Sequence, residues 1–161
     1  MKIVVINGSP KADQSITLQH IRYFMEKNPA HDLEIIPVAG PIARIEKTET
    51  LFREITEKMA GADAVIWSFP VYYALIPSQL KRFVELLFER CRPDLFKGKY
   101  TTSFTTSINF FDHTALRPSA AALFYPNQQQ VPPCGRARKQ WVWEPGSCIF
   151  WQQESFLPPF G

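Results

Sequence analysis

Cysteine is scarce in this chain, with only Cys91, Cys134 and Cys148 among 161 residues. So widely separated, they suggest neither a disulfide framework nor a C-x-x-C zinc site. An iron–sulfur cluster needs about four thiolates at close spacing, so no cluster is expected and each thiol is read as inert. Long apolar runs are also missing, which excludes a membrane-spanning segment. No secretory leader precedes the first strand-like run, so a cytoplasmic protein with no membrane partner is expected. Charge of one sign is lacking too: the net charge is +3, much of it contributed by the stretch after residue 115, and it argues for no particular partner. Two nucleotide signatures are absent. Gly8 has no glycine partner before Gly40, which rules out G-x-G-x-x-G, and no Gly-Lys pair follows it at the spacing of a triphosphate loop.

What is present begins at the first residues. Ile3-Val4-Val5-Ile6 empties into Asn7-Gly8-Ser9-Pro10-Lys11 and then Ser15-Ile16-Thr17. A short β-branched run bounded by Gly and Pro reads as a strand buried on both faces, the signature of a parallel sheet. The turn after such a strand is where α/β proteins bind ligands. Unpaired amides at the opening of the next helix carry the positive end of its dipole, so a phosphate settles there among hydroxyls. Ser9, Ser15, Thr17 and loop amides form a candidate monophosphate cradle, with Lys11 as a long-range counter-charge. The competing reading is an ordinary turn whose Ser15 caps a helix.

A second strand-like run, Ala64-Val65-Ile66-Trp67, leads into Ser68-Phe69-Pro70-Val71-Tyr72-Tyr73-Ala74-Leu75-Ile76-Pro77. Two prolines fix the backbone around two tyrosines whose faces suit a planar ring, although such aromatics more commonly belong to a core. One loop suited to phosphate and one suited to a flat ring point together to a phosphate-bearing cofactor.

These residues, followed by Leu80-Lys81-Arg82-Phe83, resemble the NAD(P)H-dependent FMN reductases of the flavodoxin-like superfamily, with the flavin domain of iron-sulfur flavoproteins as the nearest form. The resemblance runs through about residue 115. It implies that the first loop, with Ser9, Lys11, Ser15, Ile16 and Thr17, holds the FMN phosphate, and that Pro70, Val71, Tyr72, Tyr73 and Ala74 run along the isoalloxazine. A third loop after the strand-like Tyr100-Thr101-Thr102-Ser103-Phe104 would close over the ring's other edge through Thr106, Ser107, Asn109, Asp112 and His113. His113 with Asp112 is a candidate proton relay, against the commoner role of a surface hydrogen-bonding group. Where iron-sulfur flavoproteins carry their compact cysteine cluster, this chain has Val38-Ala39-Gly40-Pro41-Ile42-Ala43-Arg44. The resemblance further implies NAD(P)H as co-substrate, a small-molecule electron acceptor such as a quinone or free flavin, and a homodimer.

Apolar stripes at helical spacing, Leu18/Ile21/Met25, Phe52/Ile55/Met59 and Leu80/Phe83/Val84/Leu87, would each cover one side of a sheet. Leu33 to Val38 reads as a strand whose Pro37 suits an edge. Pro77 suits the first turn of the last of these helices, and Pro93 would stop it. The expected fold is therefore α/β, a doubly wound parallel sheet with strand order 2-1-3-4 taken from the resemblance. Residues 1–115 would form the FMN-binding domain.

Beyond residue 115 the pattern changes. Half of the 14 prolines fall here, and no helical or strand period of useful length is apparent, so residues 116–161 are read as an irregular Pro/Trp-rich tail. The helix, fifth strand and last helix usual in the family are not found, and the tail is read as foreign to the fold, as from a shifted reading frame. Arg136-Ala137-Arg138-Lys139 beside Trp141 and Trp143 has a basic-aromatic character, but one short patch does not make a nucleic-acid site, and none is expected. Three functions follow: an FMN-dependent NAD(P)H oxidoreductase, a flavodoxin-like electron carrier, which an acidic docking face would favour, and a defective remnant that performs no catalysis.

Overall fold

A computed structural model describes residues 1–72, 75–90, 93–96, 98–107, 140–144 and 147–151. Strands β1 (Lys2–Asn7), β2 (Asp32–Pro37), β3 (Ala64–Pro70) and β4 (Tyr100–Thr106) alternate with helices α1 (Ile16–Lys27), α2 (Ile42–Lys47), α3 (Glu49–Ala60) and α4 (Ser78–Arg90). The sheet runs β2-β1-β3-β4, parallel throughout these four strands, as expected for a flavodoxin-like fold. In register, Val4 lies beside Val65 and Ile6 beside Trp67. These residues, with Phe69, form one continuous core with Phe52, Ile55 and Met59 of α3 and Leu80, Phe83 and Leu87 of α4. The helical stripes are thus the buried faces, although Met25 is only half-buried.

Pleating separates the other side. Phe69 and Thr105 are register partners, so Thr105 shares the α4 side and its neighbours Phe104 and Thr106 face the opposite way. There α1 packs on β3 and β4, burying Leu18 and Ile21, with the His20 ring 6.0 Å from Phe104. β2 forms the outer strand beyond β1, and Pro37 ends it. An ionic cluster ties α2 to α4: Arg82 donates to Glu46 at 3.1 Å through Nε and also meets Glu85 and Glu89. The Arg82 guanidinium holds the Glu46 carboxyl below its ordinary range. That contribution is present above the usual carboxylate range and fades as pH falls through the lowered value.

Two features differ from expectation. A short helix, α2, follows the turn at Gly40-Pro41, and its single buried residue is Ile45. The tail, expected to be irregular, contributes β5 (Gln140–Glu144) and β6 (Ser147–Trp151), an antiparallel hairpin. β6 pairs antiparallel with β4 through Ser103↔Phe150 to Thr106↔Ser147, taking the sheet position beyond β4. Both strands are rich in aromatic and β-branched residues, which favour pleated structure, and Pro145-Gly146 between them is a turn signal. Their shortness hides any period. Among the described residues, no helix is long and apolar enough to cross a membrane, and no group of three or more His, Cys, Asp or Glu is placed to hold a metal ion.

Candidate functional site

Parallel strands with right-handed crossovers bring the carboxyl ends of β1, β3 and β4 to one rim, beside the point where strand order reverses. At β1 the rim opens with Gly8, whose amide donates to the Ser68 carbonyl of β3 at 2.8 Å. A Cβ at position 8 would lie 2.6 Å from Leu80 Cδ2 and 3.0 Å from Leu80 Cβ. Glycine is therefore demanded by the close approach of α4. Gly8→Ala is expected to destabilise the protein by about 1–3 kcal/mol through overpacking. Urea unfolding checks this, and in a Leu80→Ala background the added cost of Gly8→Ala should shrink, because the two sites touch.

Past Gly8 the chain is held by local side-chain bonds. The Ser9 amide donates to Asn7 Oδ1 at 3.0 Å, and the Lys11 amide donates to Ser9 Oγ at 3.3 Å. A single 3-10 turn, Ala12–Gln14, follows, with Ala12 at φ 46, a left-handed conformation uncommon for a residue with a Cβ. Ser15 then stands at the N-cap of α1 with extended backbone, φ −72 and ψ 125, yet its hydroxyl makes no capping bond. The Gln19 amide reaches the Ser15 carbonyl at 3.1 Å. Those of Ile16, Thr17 and Leu18 have no backbone acceptor among the described residues. Three adjacent donors at the positive end of a three-turn helix are thus without a backbone acceptor among the described residues, an arrangement that suits an anion.

The surroundings are polar and closed. Asn7, Ser9, Ser15, Thr17 and Ser68 are all buried. Ser68 is the register partner of Asn7, and its hydroxyl is buried without a hydrogen-bond partner among the described residues. Such a group normally has one. A phosphate monoester fits this rim: it offers several acceptor oxygens and negative charge where the chain offers amides, hydroxyls and a helix dipole.

The other two loops join at Thr106, the last residue of β4. Its hydroxyl lies 2.6 Å from that of Thr17, and its carbonyl accepts the Val71 amide at 2.9 Å. From Val71 the chain enters a tight turn in which the Tyr72 and Leu75 amides and carbonyls bond reciprocally, at 3.0 and 2.9 Å. Tyr72 is 42% exposed and Leu75 65%, so this loop presents apolar side chains outward at the rim.

The structure thus brings Ser9, Ser15, Ile16, Thr17, Pro70, Val71, Tyr72, Thr106 and Ser107 to the carboxyl end of the sheet. Lys11 is exposed on the first loop. Ser15 does not act as a side-chain cap. Tyr73, Ala74, Asn109, Asp112 and His113 lie outside the described residues. Sequence reasoning overlooked Ser68, whose signal is a hydroxyl inside an otherwise apolar strand, and the Thr17–Thr106 contact, which spans 89 positions and leaves no local trace.

A family model described as NADPH-dependent FMN reductase matches residues 1–130. No curated protein matches the chain. Among solved structures, an FMN-dependent NADH-azoreductase from Bacillus anthracis, in complex with FMN, is similar at TM-score 0.54 and 14% identity, covering 78% of this chain and 82% of that one. An NADH:FMN oxidoreductase (EMOB) is similar at TM-score 0.62 and 22% identity, over 78% and 68% of the two chains. The flavoenzyme NAD(P)H:(acceptor) oxidoreductase FerB from Paracoccus denitrificans is similar at TM-score 0.60 and 16% identity, over 78% and 71%. These likenesses extend the agreement in fold.

Proposed function

Because the chain belongs to the NADPH-dependent FMN reductase family, we propose that it takes reducing equivalents from NAD(P)H through FMN and delivers them to a quinone, a free flavin or another small acceptor. FMN, when bound, supplies the hydride and electron chemistry. The chain supplies position. In this reading the α1 amides with Ser9 and Ser15 hold the phosphate, and the Val71 to Leu75 turn lies along the ring. The residues from Thr106 through Ser107 to Asn109, with Asp112 and His113, approach the ring's other edge. No general base is required, and donors aimed at the ring where negative charge accumulates on reduction provide the stabilisation. The observation that carries the reading is the uncapped α1 N-terminus beside the Thr106 junction, where open amides suited to an anion and an apolar turn share one rim. A cytoplasmic homodimer belongs to the same reading, and light scattering of the purified protein tests the assembly.

The experiment is an absorption spectrum of the protein after adding FMN and removing the excess, followed by NADPH or NADH without oxygen. A retained yellow chromophore that bleaches is the expected result, and the nicotinamide that bleaches it faster identifies the donor. Retention without bleaching supports an electron carrier instead. Folded protein that retains no FMN overturns the reading and favours the remnant, whose β4 neighbour is then a replacement that no longer supports the site.

A further inference from the structure

We propose that Thr106 is a positioning residue that turns the Thr17 hydroxyl into a phosphate donor and fixes the distance between the two ends of the flavin site. The inference rests on the function proposed above. Thr17 is fully buried in the first turn of α1, and its hydroxyl lies 2.6 Å from Thr106 Oγ1, its one hydrogen-bond partner among the described residues. Each hydroxyl carries one proton and two acceptor lone pairs. If Thr17 donates, its proton is spent on Thr106 and the phosphate gains nothing from it. When Thr106 donates, Thr17 accepts and its own proton is free to turn toward the open amides of Ile16, Thr17 and Leu18, where an anion collects. A bound phosphate favours the second arrangement, because a donor meeting a charged acceptor makes the stronger bond.

Thr106 also acts through its backbone. Its carbonyl holds the Val71 amide at 2.9 Å, and Val71 opens the turn assigned to the ring. One residue therefore touches the phosphate helix with its side chain and the ring loop with its main chain. Removing the hydroxyl alters the first contact and leaves the second intact. Its loss should be felt at the phosphate end of the ligand.

The test measures dissociation constants of FMN and of riboflavin by quenching of flavin fluorescence. It compares the unaltered apoprotein with Thr106→Val, Thr106→Ser and Thr17→Val, together with the melting temperature of each apoprotein. Thr106→Val keeps the shape of the side chain but leaves the Thr17 hydroxyl without a neighbour to orient it, and is expected to weaken FMN roughly threefold, because Thr17 keeps its proton and loses only orientation and polarisation. Riboflavin, which lacks the phosphate, should change much less. Thr106→Ser restores the hydroxyl and should restore FMN binding, while Thr17→Val, which removes the donor itself, should weaken FMN roughly tenfold, the size of one hydrogen bond to a charged group. Equal weakening of FMN and riboflavin, failure of serine to rescue, or unchanged FMN affinity in Thr106→Val would each overturn the proposal. Unaltered protein that binds riboflavin and FMN alike would overturn the phosphate site and this inference with it, whereas FMN preference without any effect at Thr106 would overturn this inference alone.

Discussion

Ser15→Asp is expected to strengthen the fold and abolish retention of FMN. Ser15 already has the extended backbone of an N-cap, but its side chain makes no capping bond. A carboxylate there would accept from the open amides of the first turn and meet the positive end of the helix dipole, a gain of about 0.5–1 kcal/mol. The same carboxylate would occupy the donors that a phosphate needs and repel its charge. Losing two charge-assisted hydrogen bonds amounts to about 3 kcal/mol or more, at least a hundredfold in affinity. Riboflavin should be spared most of this loss. A melting temperature that rises while flavin fluorescence stays unquenched by the protein is the expected pair of results. If FMN binds Ser15→Asp as well as it binds the unaltered protein, its phosphate does not lie at α1.

That opposition of stability and binding shows what a sequence can and cannot disclose about such a site. Ile3 to Ile6 and Ala64 to Trp67 are legible as strands because burial on both faces forces continuous apolar runs. The α3 and α4 stripes were legible because each covers a single side of the sheet. Ser15 was legible as a helix start, whereas whether its hydroxyl caps the helix depends on a rotamer chosen by tertiary surroundings. Thr17 is legible as part of a candidate phosphate loop, but its partner Thr106 ends β4, and nothing within either local segment announces the other. Gly8 is legible as a turn residue, yet its necessity comes from Leu80, a residue of the distant helix α4. Helix α2 escaped because six residues with one buried position carry no usable period. The β5–β6 hairpin escaped because proline and tryptophan dominate the composition around it. Contacts that span the chain are the common cause: local pattern fixes which face of an element is buried, and topology decides which neighbour it meets.

Trp67→Ala is expected to cost about 3–5 kcal/mol of stability, the range for emptying a large buried aromatic site. Trp67 lies on β3, between β1 and β4, and is fully buried. Its ring is tilted against Phe96 with centroids 6.1 Å apart, and Nε1 donates to Thr101 Oγ1 at 3.2 Å. Alanine therefore empties the core between a central strand and the α3/α4 layer and leaves a half-buried hydroxyl that water can reach. Trp67→Phe keeps much of the volume and loses the donor, so it should fall well short of the alanine effect; an equal loss would mean that the indole bond, and not the cavity, dominates. The same strand carries Ser68 and Pro70 to the rim, so unfolding of Trp67→Ala removes the proposed flavin site as a unit. Ligand binding to the native state opposes this by mass action. FMN at about a hundred times its dissociation constant should return about 2.7 kcal/mol and raise the melting temperature of Trp67→Ala. A variant that regains no stability in FMN while remaining folded would show that the cavity under β3 has moved the rim itself, and that Trp67 supports the geometry of the site as well as the core beneath it.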